Sequence, residues 1–230
     1  MVCRWESLPK ELQIDAVRPY WEILRRKSLS LFFKRIFDIL VSSVSLILLS
    51  PLFLVLAIAI KVDSRGPVFF RQERVTQYGR IFRIHKFRSM VRDADKKGTL
   101  VTVNNDARVT RVGRFIRKTK MDEISQLIDV FQGTMSFVGT RPEVRKYVYQ
   151  YSDEMKATLL LPAGITSSAS IKYRNENEIL DGASDVDKVY VEQVLPEKMV
   201  WNLEDIRKYG FWREIGICFR TVFSLFDKSE

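Results

Sequence analysis

The chain has 230 residues and carries 38 Lys and Arg against 28 Asp and Glu, a formal net charge of +10 at pH 7. Cys3 and Cys218 stand at opposite ends and His85 is the only histidine, which points away from a disulfide framework, a zinc centre or a Ser-His-Asp triad. The basic balance fits three kinds of partner: anionic lipid, an anionic substrate or nucleic acid.

Residues 1–33 read as an arm. Within it, residues 11–27 can form an amphipathic helix, broken or bent at Pro19, with Leu12, Val17, Tyr20, Trp21, Ile23 and Leu24 as its apolar set. Trp21, Phe32 and Phe33 suit a headgroup zone, and Arg25, Arg26 and Lys27 suit anionic lipid. A helix packed on its own domain fits the same pattern.

Residues 39–60, ILVSSVSLILLSPLFLVLAIAI, carry no charge and are almost wholly apolar. At about 1.5 Å per residue they extend roughly 33 Å as a straight helix, against about 30 Å for a bilayer core. Ser50 and Pro51 interrupt the run. Pro51 has no N–H and its ring crowds the Ile47 carbonyl; the Ser50 hydroxyl is placed to satisfy that carbonyl, so a sharp bend is expected. Lys34 and Arg35 before the run, and Lys61, Arg65, Arg71 and Arg74 after it, put cations on both flanks. This suits a helix that enters and leaves one membrane face, although a kinked single span also fits. A cleaved signal peptide does not fit, because the run is too long and too deep in the chain. One soluble domain, long enough to bury its own core, remains beyond it.

Asp63-Ser64-Arg65-Gly66-Pro67 reads as a turn, and residues 68–74 and 81–87 as two strands of a hairpin joined through Tyr78-Gly79. Arg83, Lys86 and Arg88 gather cations that can hold phosphate or face solvent. A surface loop around Lys96-Lys97-Gly98 and a turn at Asn104-Asn105-Asp106 follow. Arg108, Arg111, Arg114, Arg117, Lys118 and Lys120 then surround a helical spacing of Val109, Val112, Phe115 and Ile116.

Ile124, Leu127, Ile128 and Phe131 recur at i, i+3, i+4 and i+7, and Gly133 ends the pattern, so a helix is expected with Asp122 and Glu123 at its start. Free N–H groups in a first turn attract phosphate oxygens and keep Asp122 ionised. A carboxylate beside such a phosphate site, with arginines upstream, can act as a nucleophile on phosphorus, and an adjacent Glu can hold Mg²⁺. Acids in a first turn also occur for capping alone.

Residues 135–138 read as a short strand that turns through Gly139-Thr140-Arg141-Pro142. Residues 143–160 read as one amphipathic helix on Val144, Tyr147, Val148, Tyr151 and Met155, ended by Leu161-Pro162-Ala163-Gly164. Residues 165–173 are Ser-rich and read as extended, leading to Arg174. A helix over 186–194, another after Pro196 to about Tyr209, and a closing helix over 211–226 complete the chain. On the last, Trp212, Ile215, Phe219, Val222, Phe223 and Phe226 can dip into an interface with Arg213, Arg220 and Lys228 at headgroups, or pack inside the domain.

Together these pieces resemble the bacterial sugar transferase family, the monotopic phosphoglycosyl transferases, from about Lys34 to Val222. The motifs that carry the resemblance are KRIFD before the apolar run, Ser50-Pro51 inside it, GPVFFRQERV, FRIHKFRSM, RVGRFIRKTKMDEISQL, MSFVGTRPE and LPAGIT, in this order. The resemblance implies a mostly helical α+β fold. Residues 1–33 form the arm. By the same resemblance, residues 34–61 are expected to form a re-entrant membrane helix bent at Ser50-Pro51, with both ends in the cytoplasm. Residues 62–230 are expected to form a small cytoplasmic catalytic domain with a β-hairpin and amphipathic interface helices, on the cytoplasmic face of a bacterial inner membrane.

The resemblance also implies a reaction: a UDP-sugar gives its sugar 1-phosphate to undecaprenyl phosphate, releasing UMP, as the initiating step of a surface glycan. Asp122 is expected to attack the sugar-bearing phosphate and form a covalent phosphosugar-aspartyl intermediate. Glu123 is expected to bind Mg²⁺, and Arg117, Arg141, Lys86 and Arg88 to lie on or near phosphates. UDP-sugar, undecaprenyl phosphate and anionic lipid are the expected partners. A homodimer is left open, nucleic acid is not expected, and a non-catalytic membrane-bound partner of glycan enzymes is the alternative. Ser125 stands where the family usually has Pro, and Asp129 where it has Asn. Thr140-Arg141-Pro142 replaces the common PRP, and residues 164–174 depart from GITGWAQVNGR, which leaves the sugar and the nucleotide pocket open.

Overall fold

The computed structural model describes residues 2–92, 108–174 and 185–226. The expected loop around Lys96-Lys97-Gly98, the turn at Asn104-Asn105-Asp106, the side chain of Phe226 and Lys228 lie outside what it describes.

Two short 3₁₀ turns, Trp5–Ser7 and Lys10–Leu12, precede helix α1 (Arg18–Arg26). Pro19 lies in the first turn of α1, where a missing N–H would be unpaired anyway. It therefore starts the helix instead of breaking it, and the helix expected over 11–27 is shorter. Leu8, Leu12, Val17, Tyr20 and Leu24 are buried in one cluster with Leu160, Leu203, Ile206 and Tyr209. The apolar side of the arm is thus packed on the rest of the chain. Trp21 sits half-buried at the edge and donates Nε1–H to the Cys3 carbonyl at 3.0 Å.

Helices α2 (Ser28–Leu48) and α3 (Ser50–Asp63) meet at a 61° bend. Pro51 lies in the first turn of α3, and the Ser50 hydroxyl donates to the Ile47 carbonyl at 2.8 Å, the acceptor that Pro51 cannot serve. Among the described residues no single helix is long and apolar enough to cross a membrane; this bent pair together is. Leu40, Val44, Ile47, Leu48, Leu54, Val55 and Ile58 are exposed along it.

Strands β1 (Phe69–Val75) and β2 (Ile81–Phe87) form the expected antiparallel hairpin, Phe69 opposite Phe87 and Val75 opposite Ile81. Its turn places Tyr78 at φ 61° and Gly79 at φ 73°. Helix α4 (Arg111–Lys118) begins at Thr110, whose hydroxyl oxygen accepts the Gly113 N–H at 3.0 Å. Its buried Ile116 meets Leu56, Ile60 and Phe87. Val109 stays outside the helix and bridges to Met90.

Residues Met121–Gln126 form a 3₁₀ turn, and only then does helix α5 (Leu127–Gln132) begin, ended by Gly133 at φ 84°. Asp122 and Glu123 therefore lie in a tight turn ahead of the helix, not in its first α-helical turn. Lys120, at φ 54°, reverses the chain between α4 and this turn. Strand β3 (Met135–Val138) pairs in parallel with β4 (Ala163–Thr166). Their backbones close up beyond the ladder: a Cβ on Gly164 would meet the Gly139 nitrogen at 2.1 Å.

Three further expectations need correction. The single helix over 143–160 is instead α6 (Arg145–Val148) and a 3₁₀ turn, Met155–Leu160. The chain turns at Ser152, whose Oγ accepts the Met155 N–H at 3.4 Å and offers the backbone a local alternative to helix. The extended reading of 165–173 holds only to Thr166. Helix α7 (Ser168–Lys172) follows because the Ser167 side chain caps it, accepting the Ser170 N–H at 3.1 Å. Finally, Pro196 does not separate two helices. Helix α8 (Val186–Val189), a π turn (Tyr190–Val194) and helix α9 (Leu195–Arg207) run on without a gap. The wider π turn lies just ahead of Pro196, which has no N–H to continue a regular ladder.

Helix α10 (Phe211–Phe226) closes the chain as expected. It buries Glu214 and Ile217 and leaves Trp212, Phe219, Val222 and Phe223 exposed. The KRIFD motif docks α2 onto this framework. Lys34 donates to the Val138 carbonyl at 2.8 Å and pairs with Glu214; Asp38 accepts from the Ser136 hydroxyl at 2.7 Å; Arg35 donates to the Val130 and Phe131 carbonyls at 2.7 and 2.8 Å.

Candidate active site

Lys86 near the end of β2, the Met121–Gln126 turn and Arg141 in the loop after β3 converge on one carboxylate. Glu123 Oε1 accepts from Lys86 Nζ at 2.9 Å and from an Arg141 guanidinium N–H at 3.0 Å. The Arg141 charge first, then Lys86, holds Glu123 far below the usual carboxylate range despite its burial. Glu123 is therefore an anion at any working pH.

Asp122 meets the opposite balance. Burial raises its pKa, and the neighbouring Glu123 charge adds to this; Lys86 and Arg117 pull it down but do not win. Arg117, in the last turn of α4, thus acts on Asp122 through its charge. The turn sets one carboxylate as a fixed counter-ion and keeps the other as the more basic group. Two adjacent titratable groups pushed apart in this way are a frequent mark of a reaction centre.

The structure brings together Asp122, Glu123, Lys86, Arg117 and Arg141. Arg88 does not join them. Only 5% exposed, its guanidinium donates to the Ser64 carbonyl at 2.6 Å, the Ser64 hydroxyl at 2.9 Å and the Arg65 carbonyl at 3.2 Å. Its contacts close the C-terminal end of α3 where a phosphate contact was expected. Ser50 and Pro51 act only at the helix bend.

Sequence reasoning missed three side chains. Arg74, placed at the end of the first strand and among the flanks of the apolar run but given no role in the site, reaches the Pro142 carbonyl at 3.3 Å and Gln72 Oε1 at 2.7 Å, and it feels the charges of Glu143, Arg141 and Glu123. Period-2 spacing from Gln72 to Arg74 was the signal that placed both on one strand face. Ser125 is fully buried and donates to the His85 carbonyl at 3.0 Å, with a longer contact to the Asp122 carbonyl at 3.3 Å. Asp129, also buried, receives both the backbone N–H of His85 and its ring Nδ1, each at 2.8 Å.

Among the described residues no group of three or more His, Cys, Asp or Glu side chains could hold a metal. Asp122 and Glu123 supply two carboxylates, one of them already facing two cations through Oε1. This donor set suits Mg²⁺ only if phosphate oxygens complete the shell, the usual mode for that ion. The arrangement as a whole, a basic carboxylate under the charge of Lys86 and Arg117, is suited to nucleophilic attack on phosphorus.

Residues 29–228 match the family described as bacterial sugar transferase. The chain is 37% identical over 202 residues to the UDP-glucose:undecaprenyl-phosphate glucose-1-phosphate transferase of Klebsiella pneumoniae, covering 86% of this chain and 41% of that protein. It is 38% identical over 198 residues to the protein of the same description from Escherichia coli K12, covering 84% and 40%. It is 36% identical over 194 residues to the UDP-N-acetylgalactosamine-undecaprenyl-phosphate N-acetylgalactosaminephosphotransferase of Aeromonas hydrophila, covering 83% and 43%. The chain thus spans about two fifths of the length of these relatives.

Proposed function

The chain belongs to the bacterial sugar transferase family, and from that premise we propose that it transfers a sugar 1-phosphate from a UDP-sugar to undecaprenyl phosphate, giving UMP and an undecaprenyl diphosphate sugar. The observation that carries this reading is the opposed electrostatics of Asp122 and Glu123 beside Lys86, Arg117 and Arg141. The relatives act on different sugars by their names, so the donor sugar is left to experiment.

An Asp122 carboxylate oxygen bonds to the sugar-bearing phosphorus, the bond from that phosphorus to the bridging oxygen breaks, and UMP leaves with the electron pair. A phosphate oxygen of undecaprenyl phosphate then bonds to the same phosphorus and the aspartyl oxygen leaves. Lys86, Arg117 and Arg141 neutralise the charge gathered as the two anionic substrates meet; phosphoryl transfer depends mainly on such positioning and charge stabilisation. Glu123 holds Lys86 and Arg141 at the height of Asp122 and, with substrate phosphates, would hold Mg²⁺. Bound there, Mg²⁺ would supply further neutralisation of phosphate charge.

The bent α2–α3 pair, with its exposed apolar faces, supports a re-entrant helix with both ends on the cytoplasmic face of a bacterial inner membrane. Trp212, Phe219, Val222 and Phe223 of α10 would lie at the same surface and keep Asp122 level with the lipid phosphate. Such a reaction starts a surface glycan.

The test is UMP release by the detergent- or nanodisc-held chain with Mg²⁺, undecaprenyl phosphate and a panel of UDP-sugars, beside Asp122→Asn. We expect UMP from at least one donor and its loss, by a thousandfold or more, in the variant. A folded chain silent across a wide panel would reject the transferase reading in favour of a non-catalytic partner of glycan enzymes.

A further inference from the structure

His85, the only histidine of the chain, lies within β2 beside Lys86 and is 7% exposed. Two residues make three polar contacts with it. Arg71 NH1 lies 2.6 Å from its Nε2, Asp129 Oδ1 lies 2.8 Å from its Nδ1, and Asp129 Oδ2 accepts its backbone N–H at 2.8 Å. The ring of Phe69 stands edge-on at 5.8 Å. A guanidinium has donors only, so Nε2 must be the acceptor of this pair. The ring proton is thus on Nδ1, where it is donated to Asp129. One carboxylate takes both donors of one residue, which fixes the ring and the backbone of His85 together.

The remaining backbone group of His85 faces the reaction centre. Its carbonyl accepts from Ser125 Oγ at 3.0 Å, and the same hydroxyl touches the Asp122 carbonyl at 3.3 Å. Ser125 lies in the Met121–Gln126 turn that carries Asp122 and Glu123. On the other side, the residue after His85 is Lys86, whose ammonium holds Glu123.

We propose that Arg71, His85, Asp129 and Ser125 form a positioning relay that sets Lys86 against Glu123 and the Asp122 carbonyl against β2. None of the four needs to touch substrate. This rests on the transferase reading only for its effect on turnover; the geometry itself can be tested without it. The relay is also directional in its donors and acceptors. In Asp129→Asn one oxygen becomes an NH₂, which opposes either the His85 backbone N–H or its Nδ1–H. The backbone N–H cannot change its role, so the NH₂ turns to the ring, which answers by moving its proton to Nε2, and that proton then faces the Arg71 donor. Replacing Arg71 by Gln supplies an acceptor for it.

The experiment combines UMP release with nitrogen-15 NMR of the 230-residue chain in nanodiscs. A single histidine gives a single imidazole, so its tautomer is read without assignment. We expect the Nδ1–H tautomer in the wild type and the Nε2–H tautomer in Asp129→Asn. Asp129→Asn and Ser125→Ala should each lower kcat about tenfold, a loss typical of misplaced groups, with KM for the UDP-sugar changed less than twofold. The double variant Arg71→Gln/Asp129→Asn should recover part of that kcat.

The backbone amide signals of Asp122 and Glu123 should shift in both single variants, a readout that needs no turnover. An Nε2–H ring in the wild type, unmoved Asp122 and Glu123 amides, or kcat unchanged in Ser125→Ala would overturn the relay. Should Asp129→Asn fail to fold, the wild-type tautomer and the Ser125→Ala amides decide alone. A wild type that releases no UMP, but whose amides move as expected, would reject the transferase reading and leave the relay standing.

Discussion

At the scale of single residues, Asp122 and Glu123 share a peptide bond and differ in what surrounds them. Burial leads for Asp122 and the Arg141 charge leads for Glu123. The signs have separate consequences. The folded pKa of Asp122 lies above its unfolded value of about 3.9, so folding favours the protonated form and the ionised form costs stability at neutral pH. Asp122→Asn removes that charge, and we expect the variant to lose turnover yet gain a few degrees in Tm, read by differential scanning fluorimetry; a lower Tm would show that Lys86 and Arg117 outweigh burial. As a nucleophile Asp122 must be ionised. UMP release should therefore fall as pH drops, with a midpoint above the ordinary Asp value, in a pH–rate profile of the first half-reaction.

Glu123 runs the other way. Its contribution to stability is full above about pH 4.3, its unfolded value, and is lost as pH falls through its depressed folded value. Arg141→Ala should flatten the acid limb of a Tm-against-pH curve over that window; an unchanged limb would mean that Lys86 alone holds the charge.

Among elements, α2 is tied to the domain by polar side chains on one face of an otherwise apolar helix. Lys34 and Glu214 are both buried, about 8% and 9% exposed in their side chains. Removing one partner of a buried pair leaves the other uncompensated, at about 3–5 kcal/mol, whereas replacing both with apolar groups is often neutral. Lys34→Met should therefore lower Tm by roughly 6–20 °C for a chain of this size, and Lys34→Met/Glu214→Leu should recover most of it. Equal losses in the single and double variants would mean that packing, not charge, holds α2. The bend between α2 and α3 has its own test. Pro51→Ala restores an N–H for the Ile47 carbonyl, so the 61° angle should open, seen as a longer spin-label distance between Ser30 and Lys61. An unchanged distance would assign the bend to packing of α2 on β3 and α5.

For the whole molecule, the arm belongs to the core. Leu8, Leu12, Val17 and Leu24 are buried against α9 and the Met155–Leu160 turn. Four such side chains contribute about 6–12 kcal/mol, comparable to the whole stability of a typical domain at about 5–15 kcal/mol. A chain lacking residues 2–26 should therefore fail to give a sharp near-UV circular dichroism spectrum in detergent; a native-like spectrum would show that the arm is an accessory.

Much of this molecule could be read from the amino-acid sequence because the signals were local. The apolar run, its break at Ser50-Pro51, the β1–β2 hairpin, strand β3 and helix α10 each depend on neighbours along the chain, through hydrogen bonds and periodicity that a window of residues contains. The acid pair and its cations were legible as residue types. Their partners were not. Lys86, in β2, and Arg88, just past its end, are two positions apart, yet one reaches Glu123 and the other turns to the end of α3, because that choice depends on which distant acceptors stand within reach. The same holds for Asp122 and Glu123, whose protonation equilibria part only after β2, α4 and the loop after β3 close around them, when burial and through-space charge act at distances the chain order does not encode.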